Sequence, residues 1–205
     1  MKYINKGPEP NEFIQWKAQA NEDWQPSYEG MPSDIKQPIV KALMKEQGYI
    51  CCYCERRLEV GNCHLEHLQP QATGEKQLDY RNMLCSCQRN LQPGEPQHCG
   101  NLKGKWFDAT LLVSPLDPEC ESQFRFTAAG EILPDTKDNQ AARTTIAKLG
   151  LNIKKLQALR RNVIEPFLDQ SLTTEDIKRF VAGYLQVDSE GKFSPFYTTI
   201  KYLFG

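Results

Sequence analysis

Four short stretches decide the fold: Cys51-Cys52-Tyr53-Cys54, then Cys63-His64-Leu65-Glu66-His67-Leu68-Gln69-Pro70, then Met83-Leu84-Cys85-Ser86-Cys87, then Cys99-Gly100-Asn101-Leu102-Lys103. The first is a Cys-x-x-Cys turn, which aims the Cys51 and Cys54 thiols at one point. A closed tetrahedral zinc site needs a second pair. Cys87 and Cys99 are the best placed, with Cys85 and His98 in reserve. Between the pairs, His64–Leu68 and Met83–Cys87 read as strands joined by a loop with Pro70, Gly74 and Asn82. A second loop, Gln88 to His98, leads to a short helix from Cys99. Seven of the eight cysteines, and all three histidines, fall between Cys51 and Cys99. Cys52, Cys63 and Cys120 read as packing residues, since a free cysteine behaves as a small hydrophobe.

Around this centre the chain is helical. Residues 1–50 hold a short helix at Asn11–Lys17 and a longer one after Ser33, which reads as its N-cap. Ile35, Ile39, Val40, Leu43 and Met44 recur at helical spacing, and Gly48 supplies the stop. Residues 51–109 form the cysteine-rich core. Residues 110–205 begin with a hairpin, Phe124-Arg125-Phe126 and Ile132 about Ala129-Gly130. Helices follow at Asn139–Leu149, Asn152–Leu168, after the N-cap Thr173 with Asp176 in its first turn, and at Ser194–Phe204. The fold class expected is α+β, a small zinc-stabilised core inside a mostly helical shell.

Composition narrows the function. The chain has 205 residues, with 40% hydrophobic and 25% charged residues. These are globular values, which exclude a disordered or fibrous chain. No run of about 18 apolar residues occurs, and the start lacks an apolar signal-peptide core. A cytoplasmic protein is expected, where clustered cysteines bind metal more often than they form disulfides. A redox role for Cys51 and Cys54 is a weaker alternative, because the βαβ pattern of such proteins is missing. Basic residues number 25 against 26 acidic, a net charge of -1. That balance argues against a protein that coats a polyanion. It conceals a run of six basic residues without an acidic one: Arg143, Lys148, Lys154, Lys155, Arg160 and Arg161. The run reads either as a solvated helix face or as a surface that follows phosphates.

A carboxylate–His dipeptide on a strand, an Asn before the next strand and an Asn opening a helix, framed by cysteine pairs, resemble the HNH endonucleases. That resemblance implies a ββα-metal (His-Me finger) core over residues 51–105. Cys51-Cys52-Tyr53-Cys54-Glu55, Leu65-Glu66-His67-Leu68-Gln69-Pro70, Leu116-Asp117-Pro118 and Thr144-Thr145-Ile146 with Leu151-Asn152 are similar to the Septu-type (PtuB-like) HNH subunit. Such subunits also occur in some retron systems. The likeness implies a nuclease effector of anti-phage defence that partners an ABC/SMC-like ATPase.

The implied roles suit the chemistry. A neutral His67 is the general base, since an imidazole titrates near cellular pH. Glu66 offers a hard oxygen to Mg²⁺ or Mn²⁺, and Asn101 is the second protein ligand. Asn82 fixes the orientation of His67. Lys103 and Lys105 contact flanking phosphates. Gly100 stands where many HNH proteins carry their last His, which moves the metal role to Asn101. His64 shares a strand face with Glu66 and opposes His67; it reads as either a polar neighbour or a site residue. The substrate is nucleic acid, DNA or an RNA such as tRNA. The competing reading is a zinc-stapled adaptor that binds nucleic acid or an ATPase without cutting.

Overall fold

The structure, a computed structural model, describes residues 1–70 and 74–205. Two antiparallel strand pairs sit among seven helices in the described residues. Residues 71–73 of the loop expected between the first two strands lie outside the described residues.

Helix α1 (Asn11–Lys17) buries Phe13 and Trp16, one turn apart. Helix α2 (Ser33–Glu46) buries Ile39, Leu43 and Met44 on its inner face. Pro32 precedes it and no side chain caps it, so Ser33 is its first residue rather than its cap. The helix carries Pro38 within it. Gly48, at φ +55°, turns the chain out of the helix, a conformation that L side chains resist.

The chain then forms a tight knuckle. Ile50 bridges Arg57, the Cys51 amide donates to the Arg56 carbonyl, and the Glu55 amide donates to Cys51. Strand β1 (Cys63–His67) pairs antiparallel with β2 (Met83–Cys87), with Leu65 opposite Cys85 and His67 opposite Met83. All five residues of β2 are buried. The Gln47 amide fastens β2 from behind: its Oε1 accepts from the Cys85 amide at 2.7 Å and its Nε2 donates to the Cys85 carbonyl at 2.9 Å. Helix α3 (Gly100–Lys103) is a single turn.

Strands β3 (Phe124–Phe126) and β4 (Ile132–Pro134) form the expected hairpin. Gly130 is required there twice over. Its φ is +82°, and a Cβ would lie 2.2 Å from the Gln157 carbonyl of a neighbouring helix. Helix α4 (Gln140–Lys148) starts at Asn139, whose side chain accepts from the Ala142 amide. Helix α5 (Lys154–Ile164) gives way to a 3₁₀ turn at Glu165–Leu168, where Pro166 removes a donor from the α-helical ladder. Helix α6 (Thr174–Leu185) opens on a complete capping box of Thr173 and Asp176. Helix α7 (Tyr197–Phe204) begins three residues later than expected, because Phe196 sits at φ +55°.

One core runs from α1 and α2 through the cysteine knuckle and β2 to α4 and α5. A smaller one, around Ile164, Phe167, Val181 and Ile200, joins α5, α6 and α7. Arg160 is corrected from the basic run: it is buried, and its guanidinium donates to the Gly130 and Leu151 carbonyls at 3.0 and 2.6 Å. Lys155 pairs with Glu95.

Candidate metal centre and catalytic groove

Cys51, Cys54, Cys87 and Cys99 converge, with their sulfurs all within 4.8 Å of one another and all four residues buried. They come from three pieces of backbone. Cys51 and Cys54 lie on the knuckle, Cys87 ends β2, and Cys99 precedes α3. Cys99 holds φ +55° and ψ -135°, a region that non-glycine residues occupy at a cost of about 1–3 kcal/mol. Something must hold it there. The Cys54 and Cys87 sulfurs are 3.7 Å apart, close to the edge of a sulfur tetrahedron around zinc, about 3.8 Å for Zn–S bonds of ~2.3 Å.

The thiol chemistry fits a cation. Burial alone would raise the Cys51 thiol, but hydrogen bonds from Cys52, Cys54, Cys87 and Cys99 outweigh it and draw Cys51 well below the ordinary range. Burial, then Cys51 and Cys54, push Cys99 well above it. Burial and Cys51 would raise Cys54 as well, but Cys87 and Cys99 draw it down to about 7, while Cys51 and Cys54 push Cys87 above the ordinary range. The crowded thiols give up some protons and hold others, which is what a divalent cation would relieve. The cluster can therefore bind zinc. Cys85 stays out of it: its thiol donates to the Val40 carbonyl. His98 is fully buried beside the cluster with Nδ1 3.0 Å from the Cys99 sulfur, placed to donate to a thiolate rather than to replace one.

The adjoining end of β1 carries the second constellation. Glu66 and His67 are both 7% exposed. With Leu65, Pro70, Gln77, Gly104, Lys105, Ser27 and Glu29 they line an open groove of about 550 Å³. Alternation along β1 separates their roles. On one face, the Lys103 ammonium lies 2.9 Å from Glu66 Oε1, and the Tyr53 hydroxyl donates to the same oxygen at 3.1 Å. His64 faces the other oxygen, with Nε2 3.7 Å from Glu66 Oε2. Burial would raise the Glu66 carboxyl, but His64 and Lys103 outweigh it and hold it below the ordinary range. Glu66 is thus a carboxylate at neutral pH.

His67 faces the loop side. Its Nε2 is 2.9 Å from the Gln77 carbonyl, so Nε2 carries the proton and donates, and the lone pair lies on Nδ1. The Tyr28 ring packs edge-on at 4.7 Å. Burial lowers His67 below its ordinary 6.5, against the opposing pull of Gln77 and Glu66. The imidazole is neutral at pH 7.

Asn82 is buried and acts through the loop. Its Oδ1 accepts from the Gln69 amide at 2.8 Å, and its Nδ2 donates to the carbonyls of Gln69 and Lys76 at 3.0 and 3.1 Å. It thereby ties the segment after His67 to the turn whose Gln77 carbonyl holds His67. Asn101 sits on the first turn of α3, its Nδ2 donating to the Gln88 carbonyl at 2.8 Å. Lys105 is exposed at the groove. Lys103 differs from its expected place at a flanking phosphate. It is 3% exposed, with its ammonium on Glu66 and on the His67 carbonyl, 2.9 Å away. Tyr53, Gln77 and Tyr28 were not legible as site residues. Only the position of Tyr53 inside the Cys-x-x-Cys turn hinted at it.

The comparisons bear on this arrangement. No family model matches the chain. A stretch of 140 residues is 33% identical to the Vibrio cholerae protein named "Retron Vc95 putative HNH endonuclease". The matched stretch is 64% of this chain and 65% of that protein. The chain thus spans slightly less than two thirds of the length of that relative. Among the described residues, no helix is long and apolar enough to cross a membrane.

Proposed function

We propose that the chain is a metal-dependent HNH endonuclease that hydrolyses phosphodiester bonds in DNA or RNA. The observation that carries this reading is the Glu66–His67 pair on the floor of an open groove. There, a neutral imidazole of fixed tautomer lies next to a carboxylate held ionised. Zinc on Cys51, Cys54, Cys87 and Cys99 is structural, and holds the end of β2 and the start of α3 against the knuckle.

The residues divide the work. His67 takes a proton from water through Nδ1, and the water oxygen forms a bond to phosphorus as the bond to the 3′ oxygen breaks. The leaving 3′ oxygen takes a proton from solvent, and His67 gives its own back to solvent. The products carry a 5′-phosphate and a 3′-hydroxyl. Glu66, through Oε2, and Asn101, through its amide oxygen, would hold Mg²⁺ or Mn²⁺. When bound, such a cation supplies charge neutralisation at the phosphate and the leaving oxygen. Asn82 keeps the loop, and with it His67, in near-attack geometry. Lys105 steadies a neighbouring phosphate at the groove edge. Lys103 tunes Glu66 from inside.

The chain is proposed to act as the effector of a retron- or Septu-type anti-phage system with an ABC/SMC-like ATPase. A second reading is a zinc-stapled adaptor without activity. One observation favours it: Lys103 gives Glu66 a counter-charge from within the protein. One experiment separates the two. The purified chain, with and without the ATPase of the neighbouring gene, is incubated with labelled DNA and RNA plus Mg²⁺ or Mn²⁺. Cleavage that disappears in His67→Ala supports the nuclease. Binding without cleavage under every condition supports the adaptor.

A further inference from the structure

His64 has so far appeared only as a neighbour of Glu66, and its surroundings are unusual. Its Nε2 and Glu66 Oε2 face each other at 3.7 Å, longer than a hydrogen bond. Both atoms border the place where residue 100 would carry a side chain. A Cβ on Gly100 would lie 2.4 Å from Glu66 Oε2 and 2.7 Å from His64 Nε2. Gly100 is not at positive φ, so its backbone does not demand glycine. What demands it is the room taken by these two groups.

The donors fit one ion. Ligands at about 2.1 Å from an octahedral centre are ~3 Å apart when adjacent and ~4.2 Å apart when opposite. The observed 3.7 Å falls between, and His64 would close on Oε2 by about 0.7 Å to take an adjacent position. Glu66 Oε1 is already taken by Lys103 and Tyr53, which turns Oε2 toward His64. His64 is about one quarter exposed, at 24% of its side chain, so solvent and a phosphate can complete the shell.

We propose that His64, through Nε2, is a ligand of the divalent cation together with Glu66 Oε2, the two groups that crowd against Gly100 where a side chain would displace them. An imidazole in the set changes the ion preferred. Oxygen-only sites suit Mg²⁺, Ca²⁺ and Mn²⁺, whereas imidazole suits Fe²⁺, Ni²⁺, Cu²⁺ and Zn²⁺. An imidazole among the oxygens therefore moves the preference away from Mg²⁺ and toward the transition series, of which Mn²⁺ is the paramagnetic probe. This rests on the metal dependence proposed above, but its test needs no cleavage. The bland competitor is a plain ion pair between a protonated His64 and Glu66.

The experiment uses the zinc-loaded full chain with Mn²⁺ as probe and no nucleic acid. Pulsed electron paramagnetic resonance of the bound Mn²⁺ should show ¹⁴N coupling from a histidine. The chain has three histidines, and His98 is fully buried beside the thiols. The coupling should persist in His67→Ala and vanish in His64→Ala and His64→Asn. By calorimetry, His64→Ala should weaken Mn²⁺ binding roughly tenfold or more, and Mg²⁺ binding less, with zinc content unchanged. No ¹⁴N coupling in the wild-type protein would overturn the proposal without any variant having to fold. So would coupling that survives loss of His64. An intact signal in a protein that never cuts would sink the nuclease reading alone. Cleavage without the signal would sink only the role of His64.

Discussion

Among the described residues, His67 is held by the Gln77 carbonyl on Nε2 and the Tyr28 ring against one side, and burial keeps it neutral. Its lowered pKa fixes the sign of a pH profile. Cleavage should rise as pH increases and level off once His67 is deprotonated, with a midpoint below the ordinary 6.5. Single-turnover rates between pH 4.5 and about 8 would show it, and a midpoint above that value would remove His67 as the base. Glu66 and Lys103 make a second residue-scale prediction. Their side chains are 9% and 1% exposed, so solvent screens the pair little. Lys103→Met leaves a buried carboxylate short of a partner, which costs about 3–5 kcal/mol. Urea unfolding should register the loss, and Glu66→Gln in the same chain should recover part of it. Because Glu66 is held below its ordinary 4.5, its stabilisation is present above the unfolded pKa. It is lost as pH falls through the folded one. Equal stability of wild-type and Lys103→Met at pH 7 would show that the pair contributes nothing.

At the scale of elements, the four thiols gather the knuckle, β2 and α3, which are also tied by the Cys52 amide on the Cys85 carbonyl and the Gly100 amide on the Ser86 hydroxyl. If the cluster holds zinc as proposed, Cys54→Ser removes one ligand and leaves Cys99 in its strained conformation with less to hold it. Zinc measured by atomic absorption should fall well below one per chain, and the melting temperature should drop, as it should when a strong chelator strips the wild-type protein. Full zinc content in the variant would exclude Cys54 from the ligand set. These elements also show what a sequence can reveal. The capping box of Thr173 and Asp176, the cap at Asn139 and the turn at Gly130 involve residues a few positions apart, so their chemistry is local and readable. The Cys-x-x-Cys turn and the Glu66–His67 dipeptide are readable for the same reason. The ties of Tyr53 to Glu66, Gln77 to His67 and Gln47 to Cys85 span 10 to 38 positions. They depend on how strands and loops stack, and neither spacing nor periodicity encodes that. Lys103 shows the same limit: a basic residue after a glycine-led turn reads as a phosphate contact until packing turns it inward.

The net charge of -1 belongs to the whole molecule, and folding removes part of the positive charge available to a polyanion. Lys103 and Arg160 are buried, and Lys155 is occupied by Glu95. Arg143, Lys148, Lys154 and Arg161 remain at the surface of α4 and α5, and Lys105 stands at the groove, which Glu29 also lines. Each phosphate neutralised steepens the dependence of log affinity on log salt by about 0.9 for duplex DNA. With so few cations gathered at one place, the isolated chain should bind nucleic acid weakly, with a slope shallower than about -3. Fluorescence anisotropy with a labelled duplex, titrated across salt concentrations, measures the slope directly. Lys105→Ala should reduce it by about one, while Lys103→Met should leave it unchanged because its ammonium never reaches the groove edge. Tight binding at physiological salt by the chain alone would contradict this distribution of charge. Weak binding that tightens only with the ATPase present would place substrate capture on the partner and leave this chain the cutting step.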